Sequence, residues 1–274
     1  MQMTELATAA ATPDQPVRRR RRSVPALAWP VLGLALAIGG WWLAVALFGV
    51  QTIILPAPPD VVSAFRALPG DLLAQTGHTA VATLLGFALS VVVGVLIGVA
   101  IAAWRPVERM FQPLLVAFNA VPKVALAPLM LIWFGYGRAP VLAMAFMVCF
   151  FPIVLSTATG LTTTPADLAE LVRAMDASRL QTFRTVRLPA ALPQIFVGLK
   201  VAMPLALIGV VVGEMQYGES GLGTIIVQTS GQGDTATAFA AITLLAMVSI
   251  VLYYGLVLTE RLLLPWVRAT TSVR

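Results

Sequence analysis

The sequence predicts an all-α, polytopic membrane protein with six transmembrane helices and a polar helix-turn-helix between the fourth and the fifth. Of its 274 residues, 59% are hydrophobic and only 11% are charged, whereas a soluble domain carries about 25% charged residues. Six apolar runs each approach the roughly 20 residues that a bilayer requires. Basic residues are concentrated in alternate connections between these runs, as the positive-inside rule expects.

The N-terminal segment, residues 1–25, is predicted to be a disordered, basic cytoplasmic tail, followed by one transmembrane domain over residues 26–274. Arg18 to Arg22 directly precede the apolar run from Ala26 to Val50. This run exceeds the 7–15 residues, roughly, of a signal-peptide core, so we interpret it as an uncleaved first span. A nucleic-acid-binding arm is a weaker interpretation of the arginines, because they lie beside a span.

Five further spans are predicted at about 79–103, 113–134, 139–160, 194–215 and 237–259. With a cytoplasmic N-terminus, the outer loops hold only Arg66 and Arg138, while Lys123 and Lys200 lie within spans. The remaining fourteen of the eighteen basic residues are then cytoplasmic: Arg18 to Arg22, Arg105, Arg109, Arg173, Arg179, Arg184, Arg187, Arg261, Arg268 and Arg274. Both termini and the polar hairpin are therefore predicted to be cytoplasmic.

Three outer connections have distinct compositions. The first contains a proline-rich turn from Leu55 to Asp60, where Asp60 can cap a short helix that lies along the outer interface. The second, Gly135 to Arg138, is a tight reversal. The third, Tyr217 to Thr235, contains five glycines, which are compatible with a mobile or re-entrant segment and equally with a flexible connector. Close helix packing is predicted from the small residues Gly86, Gly94 and Gly98 of span 2.

The third span contains helix breakers and polar groups at membrane depth. Pro122 and Pro128 interrupt the helix, and Asn119 and Lys123 place polar groups beside the break. Broken helices persist in membranes only where protein or a water-filled cavity meets the freed backbone groups. Lys123 could attract an anionic solute, or it could snorkel or pair with an acid.

The fifth span carries Glu214 near its end and Lys200 about two turns inside. Glu214 could pair with Lys123 or line an outer gate, and Lys200 could snorkel toward the cytoplasm. His78, at an interface, is expected to be structural rather than a ligand. Cys149 is the one cysteine, which excludes a disulfide within the chain and a multi-cysteine metal site.

The polar hairpin extends from Thr164 to Pro193. Thr164 can act as N-cap of its first helix, with Pro165 at the first helical position and Asp167 returning a bond to the cap. An apolar face follows at helical spacing, formed by Leu168, Leu171, Val172 and Met175. A second short helix is predicted to end at Pro189 and Pro193.

This hairpin resembles the EAA loop of ATP-binding-cassette importer permeases, with the pattern E-A-A-x3-G-x9-I-x-L-P. Glu170 falls on the glutamate and Leu188-Pro189 on the final pair, whereas Asp176 replaces the glycine and Val186 replaces the isoleucine. Leu171-Val172 replaces the two alanines. The motif glycine implies a turn at positive φ, a region that aspartate visits more readily than most residues.

Further segments resemble the nitrate, sulfonate, taurine and bicarbonate group of these permeases: Leu55-Pro-Ala-Pro, Lys123 to Gly137 and Gly213 to Gly223. The resemblance covers roughly residues 50–265. It implies a type I importer-like fold, in which residues from about 161 to 193 form the loop that couples to an ATPase. It also implies that the chain lies in the lipid bilayer and has three protein partners. These are a separate ATP-binding-cassette subunit, an extracytoplasmic solute-binding protein, and a second permease copy, most simply an identical one.

The function predicted from this resemblance is a pore-forming permease subunit in the inner membrane that imports a small, anionic solute. Neither lysine follows a glycine, so a phosphate-binding loop is absent from the sequence, and no catalytic residue, metal or cofactor is expected. The ATPase-coupling residues are Glu170, Leu171, Ala174, Met175, Asp176, Leu188 and Pro189. The pathway and gate residues are Asn119, Pro122, Lys123, Glu214, Gly221 and Gly223.

Two other classes of function are less well supported by the sequence. An ion-coupled secondary transporter usually needs an internal repeat and intramembrane carboxylates, and Glu214 is the one strong carboxylate candidate. A membrane-embedded enzyme or a scaffold is disfavoured because the sequence lacks clusters of histidine, cysteine and aspartate.

Overall fold

A computed structural model describes residues 28–103, 105–163, 172 and 176–266. Within these ranges the chain forms α-helices, one 3-10 helix at Lys123–Leu126 and one π-helix at Phe183–Arg187. The α-helices are α1 Ala28–Phe48, α2 Pro58–Ala67, α3 Pro69–Ala103, α4 Arg105–Ala120, α5 Ala127–Phe134, α6 Arg138–Thr162, α7 Arg179–Thr182, α8 Leu188–Tyr217, α9 Leu222–Gly231 and α10 Thr235–Leu263.

Five helical segments of the described chain are long and apolar enough to cross a membrane: α1, α3, α6, the continuous stretch Leu180–Tyr217, and α10. The remaining predicted span, residues 113–134, consists of α4, the 3-10 helix and α5. The helix breaks at Pro122, as predicted, while Pro128 lies in the first turn of α5, where a missing N–H costs no bond. The all-helical, multi-span fold class is confirmed.

The centre of the bundle is formed by α3, α6 and α8, with α6 between the other two. Glycines permit this close packing. A methyl group at Gly86 would lie 2.5 Å from the Ala145 Cβ atom, and one at Gly98 would lie 2.6 Å from the Thr157 Cβ atom. On the other side of α6, a methyl at Gly209 would lie 2.7 Å from the Ala145 Cα atom. The predicted packing role of the span 2 glycines is confirmed.

The bundle has two ends. The hairpin end carries the C-termini of α3, α6 and α10 and the start of α7. The far end carries the N-termini of α3, α6 and α10 and the C-terminus of α8. At the far end, the Gly137 N–H donates to the Tyr217 carbonyl oxygen at 3.1 Å, which joins the start of α6 to the end of α8.

The short helix α2 begins at Pro58, and the Asp60 carboxylate accepts the Ala57 N–H at 3.0 Å. Asp60 thus caps the start of the helix, but from its third position, since Ala57 and not Asp60 is the N-cap residue. Val61 is buried and packs with Leu72 and Leu222. This helix thus contributes to the bundle core at the far end, in addition to the exposed face expected of an interfacial helix.

The glycine-rich connection between α8 and α10 contains the helix α9. This helix packs against α10, α8 and α3, and its first residue, Leu222, is fully buried. Asp234 caps the following helix by accepting the Thr237 N–H at 3.1 Å. The interpretation of this segment as a simple flexible connector is wrong.

The prediction that Pro189 and Pro193 end the second hairpin helix is also wrong. The chain remains helical from α7 through the π-helix into α8. The Leu188 N–H bonds to the Phe183 carbonyl oxygen, a wider spacing than in an α-helix. Pro189 follows in the first turn of α8, and Pro193 lies inside that helix. The change of register accommodates Pro189, which can donate no backbone hydrogen bond.

Candidate functional site

A buried polar cluster joins three helices near the far end of the bundle. We call it the Glu214 cluster; it comprises Gln75 and Thr79 of α3, Glu214 of α8, and the backbone of residues 221–223. The Thr79 hydroxyl donates to the two Glu214 carboxylate oxygens, which lie 2.9 and 3.0 Å away. Glu214 is 3% exposed, so these bonds compensate a substantial loss of hydration.

The same cluster holds the N-terminus of α9. The Leu222 N–H donates to the Thr79 hydroxyl oxygen and the Gly223 N–H to a Glu214 carboxylate oxygen, each at 2.9 Å. The Gly221 N–H donates to the Gln75 side-chain oxygen. Free N–H groups and the helix dipole both favour a carboxylate at this position. Glu214 therefore caps α9 from a neighbouring helix.

Two predicted gate glycines have a steric reason to be glycine. Gly221 has φ of 114°, a conformation that side chains rarely adopt, and a methyl group there would overlap the Glu214 carboxyl. A methyl group at Gly223 would lie 2.8 Å from the Glu214 Cβ atom. The structure thus brings Glu214, Gly221 and Gly223 together.

The other predicted pathway residues form a second cluster, at the break in the third span. Lys123 donates from Nζ to the Asn119 side-chain oxygen at 2.9 Å and to the Asn119 backbone oxygen at 3.2 Å. Its Nζ also lies 5.8 Å from the centre of the Phe151 ring. Because α4 ends at Ala120, the Asn119 carbonyl would otherwise lack its helical partner. Lys123 caps the end of α4, beside Pro122.

The suggested pairing of Lys123 with Glu214 is not observed. Each residue is engaged in its own cluster, and the one ion pair within the described ranges joins Lys200 of α8 to Glu260 of α10, at 2.9 Å. Lys200 thus has an acidic partner instead of snorkelling freely. Its side chain is 24% exposed and that of Glu260 is 23% exposed.

A cavity of about 660 Å³ lies at the far end, between α3, α6 and the turn that follows α8. Its polar lining includes His78, Arg138, Glu214 and Glu219, and its apolar lining includes Val81 and Leu142. His78, for which a structural role was predicted, is exposed and lines this cavity. The cavity therefore lies beside the Glu214 cluster and next to the N-terminus of α9.

The predicted coupling residues are only partly described. Glu170, Leu171, Ala174 and Met175 lie outside the described residues. Asp176 is exposed and has φ of 52°, so the turn adopts the positive φ that the motif glycine implied. Leu188 and Pro189 form the first turn of α8.

Three functional contacts were missed from sequence. Thr79 lies at the predicted boundary of span 2 and was not considered a partner of Glu214. Gln75 precedes that boundary and was not considered a partner of the Gly221 N–H. Glu260 lies within the last turn of α10. Its position, an acid close behind a long apolar run, was the available signal for a partner to an intramembrane lysine.

Comparison with known proteins shows the family. Residues 90–268 match the family model described as "Binding-protein-dependent transport system inner membrane component". The chain belongs to this family. The permease is 37% identical over 256 residues to the riboflavin transport system permease protein RibX of Chloroflexus aurantiacus, covering 91% of the permease and 96% of RibX.

The permease is also 30% identical over 260 residues to the putative aliphatic sulfonates transport permease protein SsuC of Bacillus subtilis, covering 94% of the permease and 93% of SsuC. Its fold matches the inward-facing MetNI methionine ABC transporter with a TM-score of 0.62 at 20% identity. That match covers 70% of the permease and 95% of the MetNI chain. The predicted resemblance is confirmed: this is the membrane-embedded permease subunit of an ATP-driven importer of small solutes, not an ion-coupled secondary transporter.

Proposed function

We propose that the permease forms half of a homodimeric pore, which a separate ATP-binding-cassette subunit opens from the cytoplasm through the hairpin at about residues 161–193. An extracytoplasmic solute-binding protein delivers the solute to the far end. Both termini are cytoplasmic in this arrangement. The supporting charge distribution places fourteen of eighteen basic residues on the hairpin side.

One observation carries this proposal: a continuous helical path connects the hairpin with the Glu214 cluster. Leu180–Tyr217 is a single helical stretch of 38 residues, long enough to reach about 57 Å at the rise of an α-helix. The turn at Asp176 precedes one end of this path, and Glu214 lies near the other. A displacement of the hairpin is thereby transmitted to the helix that holds the N-terminus of α9.

Within the hairpin, Glu170 positions the loop, and the apolar face that includes Leu171 and Met175 seats in a cleft of the ATPase, with Ala174 as a further coupling residue. Asp176 makes the turn, for which its φ of 52° is direct support. Leu188 and Pro189 set the angle between the hairpin and α8, since they form the first turn of that helix.

The gate, in this proposal, is α9 together with the cluster that caps it. Glu214, Gly221 and Gly223 hold α9 against α3 and α8 in the described state. Asn119, Pro122 and Lys123 maintain the break in the third span, which lines the pathway at mid-membrane. The solute is small and carries an anionic group, a class supported by the name of the sulfonate relative.

The test is reconstitution of the permease in liposomes with its cognate ATPase and its solute-binding protein. Calorimetry on the binding protein, with taurine, an alkanesulfonate and riboflavin as probes, identifies the solute. Uptake should require ATP, both partners and Glu170. Uptake by the permease alone, or modification of a cysteine placed at Asp176 from outside intact cells, would overturn the proposal.

A further inference from the structure

The cavity at the far end is lined by two charged side chains that have no hydrogen-bond or salt-bridge partner in the described part of the chain. Arg138 lies at the first position of α6, and Glu219 lies in the turn after α8; both line the cavity and both are exposed. Among the described residues, neither side chain forms a salt bridge or a hydrogen bond. In particular, the two do not pair with each other, although the Gly137–Tyr217 backbone bond brings their segments together.

The second carboxylate at the cavity, that of Glu214, is not available in the same way. Glu214 accepts hydrogen bonds from Thr79 and Gly223, so its oxygens are committed to holding α9. The cavity therefore offers a separate guanidinium and a separate carboxylate, with the His78 imidazole as an additional polar group. A guanidinium binds carboxylate, sulfonate or phosphate groups through paired N–H donors.

Apart from Ser220, the remaining side chains that line the cavity are apolar. Val81 and Leu85 of α3 face Leu142 of α6 across it. Its volume of about 660 Å³ lies within the range, roughly 300–1,000 Å³, that is usual for small-molecule sites. An apolar surface with a few separate polar groups is the usual composition of such sites.

We propose that this cavity is a binding site for a small amphoteric solute, whose acidic group contacts Arg138 and whose ammonium or N–H donor contacts Glu219. The apolar body of the solute lies against Val81, Leu85 and Leu142. The site deepens the proposed function, because it lies beside the helix α9 and would hold the solute after the binding protein releases it.

The experiment uses thiol modification of the reconstituted full-length permease, in a Cys149→Ser background with Leu142→Cys inside the cavity. The probes are 2-sulfonatoethyl methanethiosulfonate, which is anionic, and its trimethylammonium analogue, which is cationic. Both should react, because the charged lining residues Arg138 and Glu219 are exposed. Leu84→Cys, on the same helix as Val81 but outside the lining, is the control. Leu84 is exposed on the surface of the bundle, where lipid would cover it in the liposome, so this cysteine should react slowly with both charged reagents.

Removing one charge should change the preference between the reagents. Arg138→Gln should lower the ratio of anionic to cationic reaction rates by about three- to tenfold, and Glu219→Gln should raise it by a similar factor. Taurine, which carries both charges, should slow the modification of Leu142→Cys more than ethanesulfonate does at equal concentration. Each single variant should abolish that difference.

Three outcomes would overturn the inference: no reaction at Leu142→Cys with either reagent, rate ratios that neither variant changes, or no protection by taurine. The first would indicate a cavity filled by lipid or covered by a second copy. ATP-dependent uptake by the wild-type complex is measured in parallel. If uptake fails while the labelling results hold, the proposed assembly is wrong and the cavity site stands; the converse result removes the cavity site alone.

Discussion

The hydroxyl of Thr79 lies 2.9 Å from a carboxylate oxygen of Glu214, although 135 positions separate the two residues in sequence. Through this bond the end of α8, the start of α3 and the N-terminus of α9 are held together. Because the carboxylate is 3% exposed, the bonds around it form at low dielectric. This polar contact therefore links α9 to the bundle. The apolar packing of Leu222 also holds α9 in place.

Glu214→Gln should destabilise this link, because an amide keeps the shape but loses the charge that the α9 N-terminus favours. Hydrogen bonds to a charged group contribute about 1.5–3 kcal/mol each. The midpoint of thermal denaturation in detergent should fall by roughly 5–10 °C. Glu219→Gln is the control, since that exposed carboxylate forms no bond among the described residues. An equal stability of the two variants would contradict the capping role.

Gly221→Ala should abolish uptake and lower stability. The methyl group would overlap the Glu214 carboxyl, and φ of 114° is unfavourable for alanine. Gly231→Ala, at the other end of the same helix, has open space around the new methyl group and should be neutral or slightly stabilising. Uptake and thermal denaturation of both variants measure the difference; a tolerated alanine at position 221 would show that the close approach is not required.

Lys123→Met should weaken the end of α4 by removing the donor to Asn119. A double-mutant cycle with Asn119→Ala should show a coupling free energy of about 0.5–3 kcal/mol, the range for residues in direct contact. Chemical denaturation of the four proteins in mixed micelles provides the measurement. Strictly additive effects would mean that the contact contributes nothing, and Lys123 would then be available for the solute.

Lys200→Met and Glu260→Gln should each destabilise the packing of α8 on α10, because each leaves a partly buried charge without its partner. Exchanging the two residues, as Lys200→Glu with Glu260→Lys, should recover at least half of the lost stability. The measurement is again the thermal midpoint. A double variant that is less stable than both single variants would argue against a specific ion pair.

Asp176→Gly should retain ATP-dependent uptake, since glycine adopts a φ of 52° at no steric cost. Asp176→Val should lose it, because a β-branched residue is strongly disfavoured at positive φ. The readout is ATP hydrolysis stimulated by the solute-binding protein, together with complex assembly on gel filtration. If the valine variant behaves as the wild type does, the positive φ at position 176 is not required for coupling to the ATPase.

The fold was predictable because hydropathy, charge asymmetry and proline positions act locally. The break at Pro122 and the close packing at Gly86 and Gly98 follow from such signals. The helix through Pro189 did not follow, because a proline normally ends a helix and its accommodation here depends on a change to the π register. The rule that proline ends a helix failed at Pro189 because the hydrogen bonds of the preceding turn have the wider π spacing.

Several residues of the Glu214 cluster were predicted from the sequence, but the contacts between them were not. Glu214 and Gly221 were recognised, yet the partner Thr79 was not, since no sequence pattern relates residues that come together only through packing of α3 on α8. The capping of α4 by Lys123 was within reach, because four positions separate it from Asn119 and the helix breaks between them. A lysine at the end of a broken helix should first be tested as its cap.

The π-helix at Phe183–Arg187 would allow the hairpin to rotate relative to α8. Its turns are wider than those of an α-helix, so conversion to the α register would swing everything on its N-terminal side about the helix axis by up to about 100°, one residue's worth of twist. The hairpin would then change its orientation while the part of α8 beyond Pro189 stays in place.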